Sequence, residues 1–117
     1  MADVIASARS FLFVPATRPE RFAKALDAGA DCVIVDLEDA VAPDQKSAAR
    51  AELAQSLPAF TREQLERTLV RINPVGTSWH AQDLLLVAEW VRKGLAGAMI
   101  PKAESRSQLR AGGIALG

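Results

Sequence analysis

Tyrosine is absent, cysteine and histidine occur once each, and no apolar run exceeds about six residues, against the ~20 that a membrane-spanning helix needs. The lone Cys32 excludes an internal disulfide, and with a single histidine no Cys/His zinc spacing can be written. Net charge is missing too: fourteen basic residues balance fourteen acidic ones. That removes the electrostatic footprint expected of a nucleic-acid or acidic-membrane binder, though not a local anion site. The first ten residues lack the apolar core of a signal peptide. From these absences we expect a cytoplasmic protein that binds neither nucleic acid nor membrane.

What is present is aliphatic and regularly spaced. Half of the 117 residues are hydrophobic, enough for one modest core. Short apolar runs alternate with helical patterns. Phe11–Val14 ends at Pro15, and a helix over Arg18–Leu26 follows, with Pro19 in its first turn and Gly29 past its end. Cys32–Val35 is a β-branched run suited to burial on both faces. Pro43–Leu57 reads as the second helix, and Thr61 as the N-cap of an extra turn to Arg67. Thr68–Ile72 is the third strand. Ser78–Lys93 is the third helix, with an apolar stripe of Leu84, Val87, Ala88 and Val91. Gly97–Ile100 is the fourth strand, Ser105–Arg110 the start of a fourth helix, and the remainder a short tail.

This alternation, with roughly thirty residues per unit, implies an α/β fold with a parallel sheet. An eight-stranded barrel and an open doubly wound sheet both satisfy it. The loop after the first strand, Pro15-Ala16-Thr17-Arg18, has no G-x-G-x-x-G, which favours the barrel. The expectation is therefore the N-terminal four β/α units of a TIM (β/α)8 barrel, truncated, with residues 1–117 as a single partial domain. Sequential strand order would support it, and a reversal would favour the open sheet.

In either fold the ligand site lies beyond the C-terminal strand ends. Four polar segments fall there: Pro15–Arg18, Asp36–Asp39, Arg71–Asn73 and Pro101–Glu104. Three carboxylates within Asp36-Leu37-Glu38-Asp39 repel unless something positive lies near. They could serve Mg²⁺ or its waters, or Asp36 or Asp39 could cap the loop. Arg71, at the tip of an apolar strand, needs a partner. Either it pairs with one of those acids or it clamps a substrate carboxylate. Arg18, Arg21 and Lys24 beside the first helix could attract a phosphate or form a solvated face. Lys102 and Glu104 could simply pair, and a Schiff base at Lys102 is disfavoured for want of anything to lower its pKa. His80 is read as a surface or capping residue, Cys32 as core, and Trp79 and Trp90 as helix packing.

The motifs Ser10–Pro15, Arg18–Phe22, Val35–Pro43, Val70–Asn73 and Ile100–Ser105 occur in an order that resembles the HpcH/HpaI aldolase superfamily. That superfamily includes the citrate lyase beta subunit and the malyl-CoA lyases, and the resemblance covers about residues 9 to 109. It implies a Mg²⁺-dependent carbon–carbon lyase acting on a hydroxyacyl-CoA such as citryl-CoA or malyl-CoA, releasing or using an oxo-acid such as oxaloacetate. By the resemblance, Arg71 holds the oxo-acid carboxylate. Phe13, Arg18 and Lys24 contact the CoA-linked substrate, and Glu38 and Asp39 lie near the metal and its waters. The family's two direct metal carboxylates come from later strands, so none is expected before Gly117, and no catalytic residue is assigned. The resemblance also implies a homo-oligomer in the full-length family. The alternative expectation is an inactive half barrel serving as a binding or assembly module through the open edges of its first and fourth strands.

Overall fold

A computed structural model describes residues 9–101 and the backbone of residues 114–116. Four parallel strands run in sequential order: β1 (Phe11–Pro15), β2 (Cys32–Asp36), β3 (Thr68–Arg71) and β4 (Gly97–Met99). The order contains no reversal, so the architecture is that of consecutive barrel units rather than of a doubly wound sheet. A fifth strand, β5 (Ile114–Leu116), pairs antiparallel with β4. The sequence predicts a tail in this segment and an open β4 edge. The pairing of Met99 with Ile114 and Gly97 with Leu116 corrects it. Four or more residues of clear alternation are needed to announce a strand, and Ile-Ala-Leu is too short to do so.

The helices follow the punctuation of the sequence. A 3₁₀ turn at Pro19–Arg21 leads into α1 (Phe22–Asp27), and another at Pro43–Gln45 leads into α2 (Lys46–Ser56). Proline suits these first turns because its missing N–H has no intrahelical partner there anyway. α3 (Arg62–Glu66) carries a full capping box. Thr61 Oγ1 accepts from the Gln64 N–H at 3.1 Å, and the Thr61 N–H donates to Gln64 Oε1 at 2.9 Å. α4 (His80–Val91) precedes β4. Gly94, between them, has φ of +122°, so the backbone calls for glycine.

All five residues of β2 are buried, as its uninterrupted apolar run predicts for a central parallel strand. Alternate residues serve two clusters. Val33 and Val35 face the helical layer with Leu53, Leu57, Val87 and Trp90, while Cys32 and Ile34 join Leu69 and Ala96 on the other face. Burial pushes the Cys32 thiol up to about 11, which makes it an inert core residue. β1 differs. It pairs only with β2 among the described residues, and Phe11, Leu12 and Phe13 are 41%, 38% and 50% exposed. The stripe assigned to α4 is also rotated. Asp83, Val87 and Trp90 face inward, whereas Leu84 and Ala88 are exposed. Ser105–Arg110, read as a helix start, lies outside the described residues.

The register brings the strand ends level. Pro15 pairs with Asp36, Asp36 with Arg71, and Arg71 with Met99. The polar segments that follow β1, β2 and β3 thus rise from one rim. Among the described residues no helix is long and apolar enough to cross a membrane.

Leu53 is fully buried between helix and sheet. Leu53→Ala is expected to lower unfolding stability by ~2–5 kcal/mol, measured by urea denaturation, with the spread set by how far the cavity collapses.

Candidate active site

At the end of β2 the backbone folds around its own last side chain. Asp36 Oδ1 accepts from the Glu38 N–H at 2.8 Å, and Oδ2 accepts from the Ala40 N–H at 2.9 Å. Arg71, its register partner on β3, meets the same carboxylate edge-on. Nε donates to Oδ1 at 2.9 Å and Nη2 to Oδ2 at 2.7 Å. Each carboxylate oxygen therefore has two donors, and Asp36, 1% exposed, has no lone pair to spare for a metal. Of the two roles left open for the acidic run, Asp36 takes the loop-capping one. Of the two left open for Arg71, pairing with an acid is realised.

The same pairing leaves Arg71 partly uncommitted. Only Nε and Nη2 are engaged by Asp36, and among the described residues Nη1 has no hydrogen-bond partner. The side chain is 22% exposed. Glu38 Oε1 lies 3.6 Å from Nε, and the Phe13 ring centroid lies 4.9 Å from Cζ, a cation–π distance. The half-exposed Phe13 thus packs on the guanidinium face.

The electrostatics follow from these contacts. Burial pushes the Asp36 carboxyl up, but the Arg71 hydrogen bond and the Glu38 and Ala40 amides outweigh it, and its pKa lies below the ordinary carboxylate value of 3.8. The Asp36 hydrogen bond raises Arg71. Glu38 moves the other way. Burial raises it, Arg71 opposes, and the neighbouring Asp36 and Asp39 charges raise it further.

A second polar cluster stands behind the first. Asp83, on the inward face of α4, accepts from Arg50 Nε at 2.9 Å, from the Asn73 N–H at 3.0 Å and from Asn73 Nδ2 at 2.6 Å. His80 Nδ1 meets the Asn73 carbonyl at 2.8 Å, so this half-buried ring, with Nδ1 protonated, braces the β3–α4 loop rather than standing free on the surface. Trp90 packs in the core as expected, while Trp79 lies against the Lys46 ammonium, 5.3 Å from its ring centroid. Sequence reading missed Lys46, Arg50 and Asp83. For Asp83 a signal existed: it stands four residues before Val87 and seven before Trp90, an acid on the apolar face.

Not every expected site residue joins the cluster. Arg18 is exposed and pairs with Glu20 at 3.6 Å. Lys24 lies on the exposed side of α1, lining a groove with Leu12, Val14 and Arg21 along the β1 edge. Neither forms a hydrogen bond or ion pair with Arg71 or Glu38 among the described residues. Lys102 and Glu104 lie outside the described residues.

The donor chemistry toward Mg²⁺ is partial. Glu38 and the exposed Asp39 offer the hard oxygen donors that Mg²⁺ and its retained waters prefer. Among the described residues no three His, Cys, Asp or Glu side chains come together to hold an ion directly. These residues fit a contribution through water and do not fit a complete coordination sphere.

Consecutive β/α units with an arginine and a carboxylate loop at the strand ends define part of a barrel with a charged rim. Residues 9–112 match the HpcH/HpaI aldolase/citrate lyase family, and the chain belongs to that family. It is 49% identical over 104 residues to a citrate lyase subunit beta-like protein of Mycobacterium tuberculosis, covering 89% of this chain and 35% of that protein. It is 38% identical over 96 residues to an L-malyl-CoA/beta-methylmalyl-CoA lyase of Cereibacter sphaeroides, covering 80% of this chain and 29% of that one. Among solved structures, the M. tuberculosis citrate lyase beta subunit complexed with oxaloacetate and magnesium matches with a TM-score of 0.67. The two are 47% identical, and the match covers 91% of this chain and 44% of that one. The chain spans about a third of the length of the curated relatives it matches.

The depressed Asp36 pKa gives a signed pH dependence. A carboxylate lowered on folding contributes stability that is complete above its unfolded value, near 3.8, and is lost as pH falls through the lower folded value. Acid unfolding should steepen below pH 3.8. In Asp36→Asn that segment of the stability–pH curve should flatten, as read by circular dichroism, on top of a loss of ~3–5 kcal/mol at neutral pH from breaking the buried Asp36–Arg71 pair.

Proposed function

We propose that this chain carries the substrate-carboxylate side of a Mg²⁺-dependent carbon–carbon lyase site. The substrate is a hydroxyacyl-CoA of the citryl-CoA or malyl-CoA type, and the reaction releases or uses an oxo-acid such as oxaloacetate. The observation that carries the reading is the state of Arg71. Its guanidinium is held in plane by two hydrogen bonds that it donates to one buried carboxylate, and among the described residues Nη1 is left for a second one. A planar fork held in advance loses little freedom on binding a carboxylate, and charge-assisted pairs of this kind are strong. The oxo-acid names of the similar complex and the CoA-ester name of the similar lyase agree with that use.

In this reading Arg71 orients the oxo-acid through its carboxylate. Phe13, lying on the guanidinium face, excludes water from one side of that contact. Glu38 and Asp39 hold waters of the ion. When bound, Mg²⁺ polarises the oxo-acid carbonyl and stabilises the negative charge that develops on oxygen as the bond forms or breaks. Arg18 and Lys24, exposed beside the first helix, meet the anionic CoA portion. The assembly of several copies belongs to the same proposal.

An assembly role is a second reading, favoured by the exposed Phe11-Leu12-Phe13 edge. It is narrower than the sequence suggested, because β5 occupies the β4 edge.

Titration calorimetry with oxaloacetate in the presence of Mg²⁺ tests the lyase reading. Arg71→Lys keeps a charge but loses the fork, and affinity should fall by roughly 10–100-fold, the equivalent of one charge-assisted hydrogen bond. Equal affinity in the two proteins would remove Arg71 from the carboxylate site.

A further inference from the structure

The carbonyl oxygen of Leu37 is a point where side chains from separate elements converge. Asn73 Nδ2 donates to it at 3.0 Å and Lys46 Nζ at 3.2 Å. Lys46 also donates to the Glu38 carbonyl, and it is only 7% exposed. On the other side, the Leu37 N–H donates to the Arg71 carbonyl at 2.9 Å. Leu37, between Asp36 and Glu38, is therefore gripped by β3 through its N–H and by Asn73 and Lys46 through its carbonyl. Asn73 is itself immobilised, because both its N–H and its Nδ2 donate to the buried Asp83. Two expensive buried charges, Asp83 and Lys46, thus end on one peptide group. A packed apolar residue would often stabilise a core as well as a buried charge does. What these charges add is direction: each donor and acceptor has one angle at which it is satisfied.

We propose that Asp83 and Lys46 are positioning residues, which act through the Leu37 carbonyl to set where the Glu38–Asp39 loop stands relative to the Arg71 guanidinium. In the lyase reading this sets the geometry in which an oxo-acid on Arg71 meets an ion whose waters rest on Glu38 and Asp39. That consequence rests on the proposed function, whereas the placement of the loop does not.

The test compares Asp83→Asn, Lys46→Met and the control Leu53→Ala, which weakens the apolar core without removing a hydrogen bond of the polar network. Asp83→Asn replaces one acceptor oxygen with an N–H donor, which then faces the donors on Asn73 and Arg50. Lys46→Met removes the ammonium, keeps the stem beside Trp79 and leaves the Arg50–Asp83 pair intact, so it carries the test if Asp83→Asn does not fold. Amide hydrogen exchange is read at Glu38 and Ala40, the two N–H groups bound to Asp36. Each positioning variant should speed these amides about tenfold beyond the slowest core amides, whereas Leu53→Ala should move loop and core together. The dissociation constant for oxaloacetate with Mg²⁺ should rise at least about tenfold in the two variants, the usual scale for groups that orient a binding shell, and within about twofold in the control. Unchanged relative exchange in the folded variants overturns the proposal. A loosened loop with unchanged affinity overturns its link to binding. If the unsubstituted protein binds no oxaloacetate, the proposed function fails, while the exchange comparison still decides the positioning role.

Discussion

The two-pronged contact between Arg71 and Asp36 is the constraint on which the rest of the rim depends. The two residues are register partners on adjacent parallel strands, so the sheet itself delivers them to each other. Neither charge could remain at a strand end this buried without the other, because desolvating either alone would cost several kcal/mol, roughly. Once paired, Asp36 has enough acceptor capacity left to draw in the Glu38 and Ala40 amides. The acidic loop is thus wound around an ion pair, and the repulsion among its three carboxylates is relieved at its first member.

That pair is in turn held by an apolar sheet. β2 is buried along its whole length and packs on both faces, which leaves it a single register with its neighbours. A slip by one residue would put Asp36 in the core-facing place of Val35 and Leu37 opposite Arg71 at the rim. The aliphatic runs therefore stabilise the fold and also aim the charged residues that follow them. Behind the rim, Asp83 and Lys46 extend the polar network into the helical layer, and the described residues leave no buried side-chain nitrogen or oxygen without a partner.

The division of roles among the acids shows why pattern reading stops where it does. Asp36, Glu38 and Asp39 are equivalent as sequence, three carboxylates in four positions. In the fold Asp36 is saturated by four donors, Glu38 lies partly buried at 3.6 Å from Arg71, and Asp39 is exposed. Only the direction in which each side chain leaves the end of β2 separates them. Asp83 was passed over for a related reason. Three leucines follow it in sequence, and the stripe drawn through Leu84 and Val87 excluded it. A helix rotated by one position puts Asp83 inside, where Asn73 and Arg50 compensate it. Those partners lie ten and thirty-three residues away.

The sequence by itself determined the strand–helix alternation, the helix starts at Pro19, Pro43 and Thr61, and the collection of polar residues at the strand ends. These depend on local chemistry: backbone propensity, capping and period. It also carried enough ordered motif to indicate the family. Only the tertiary structure decided that Arg71 is shared between Asp36 and an open position, that Asp83 and Lys46 meet at Leu37, and that β5 covers the β4 edge. Each of these joins groups distant in the chain, and such contacts depend on register and side-chain direction, which no single stretch of sequence encodes.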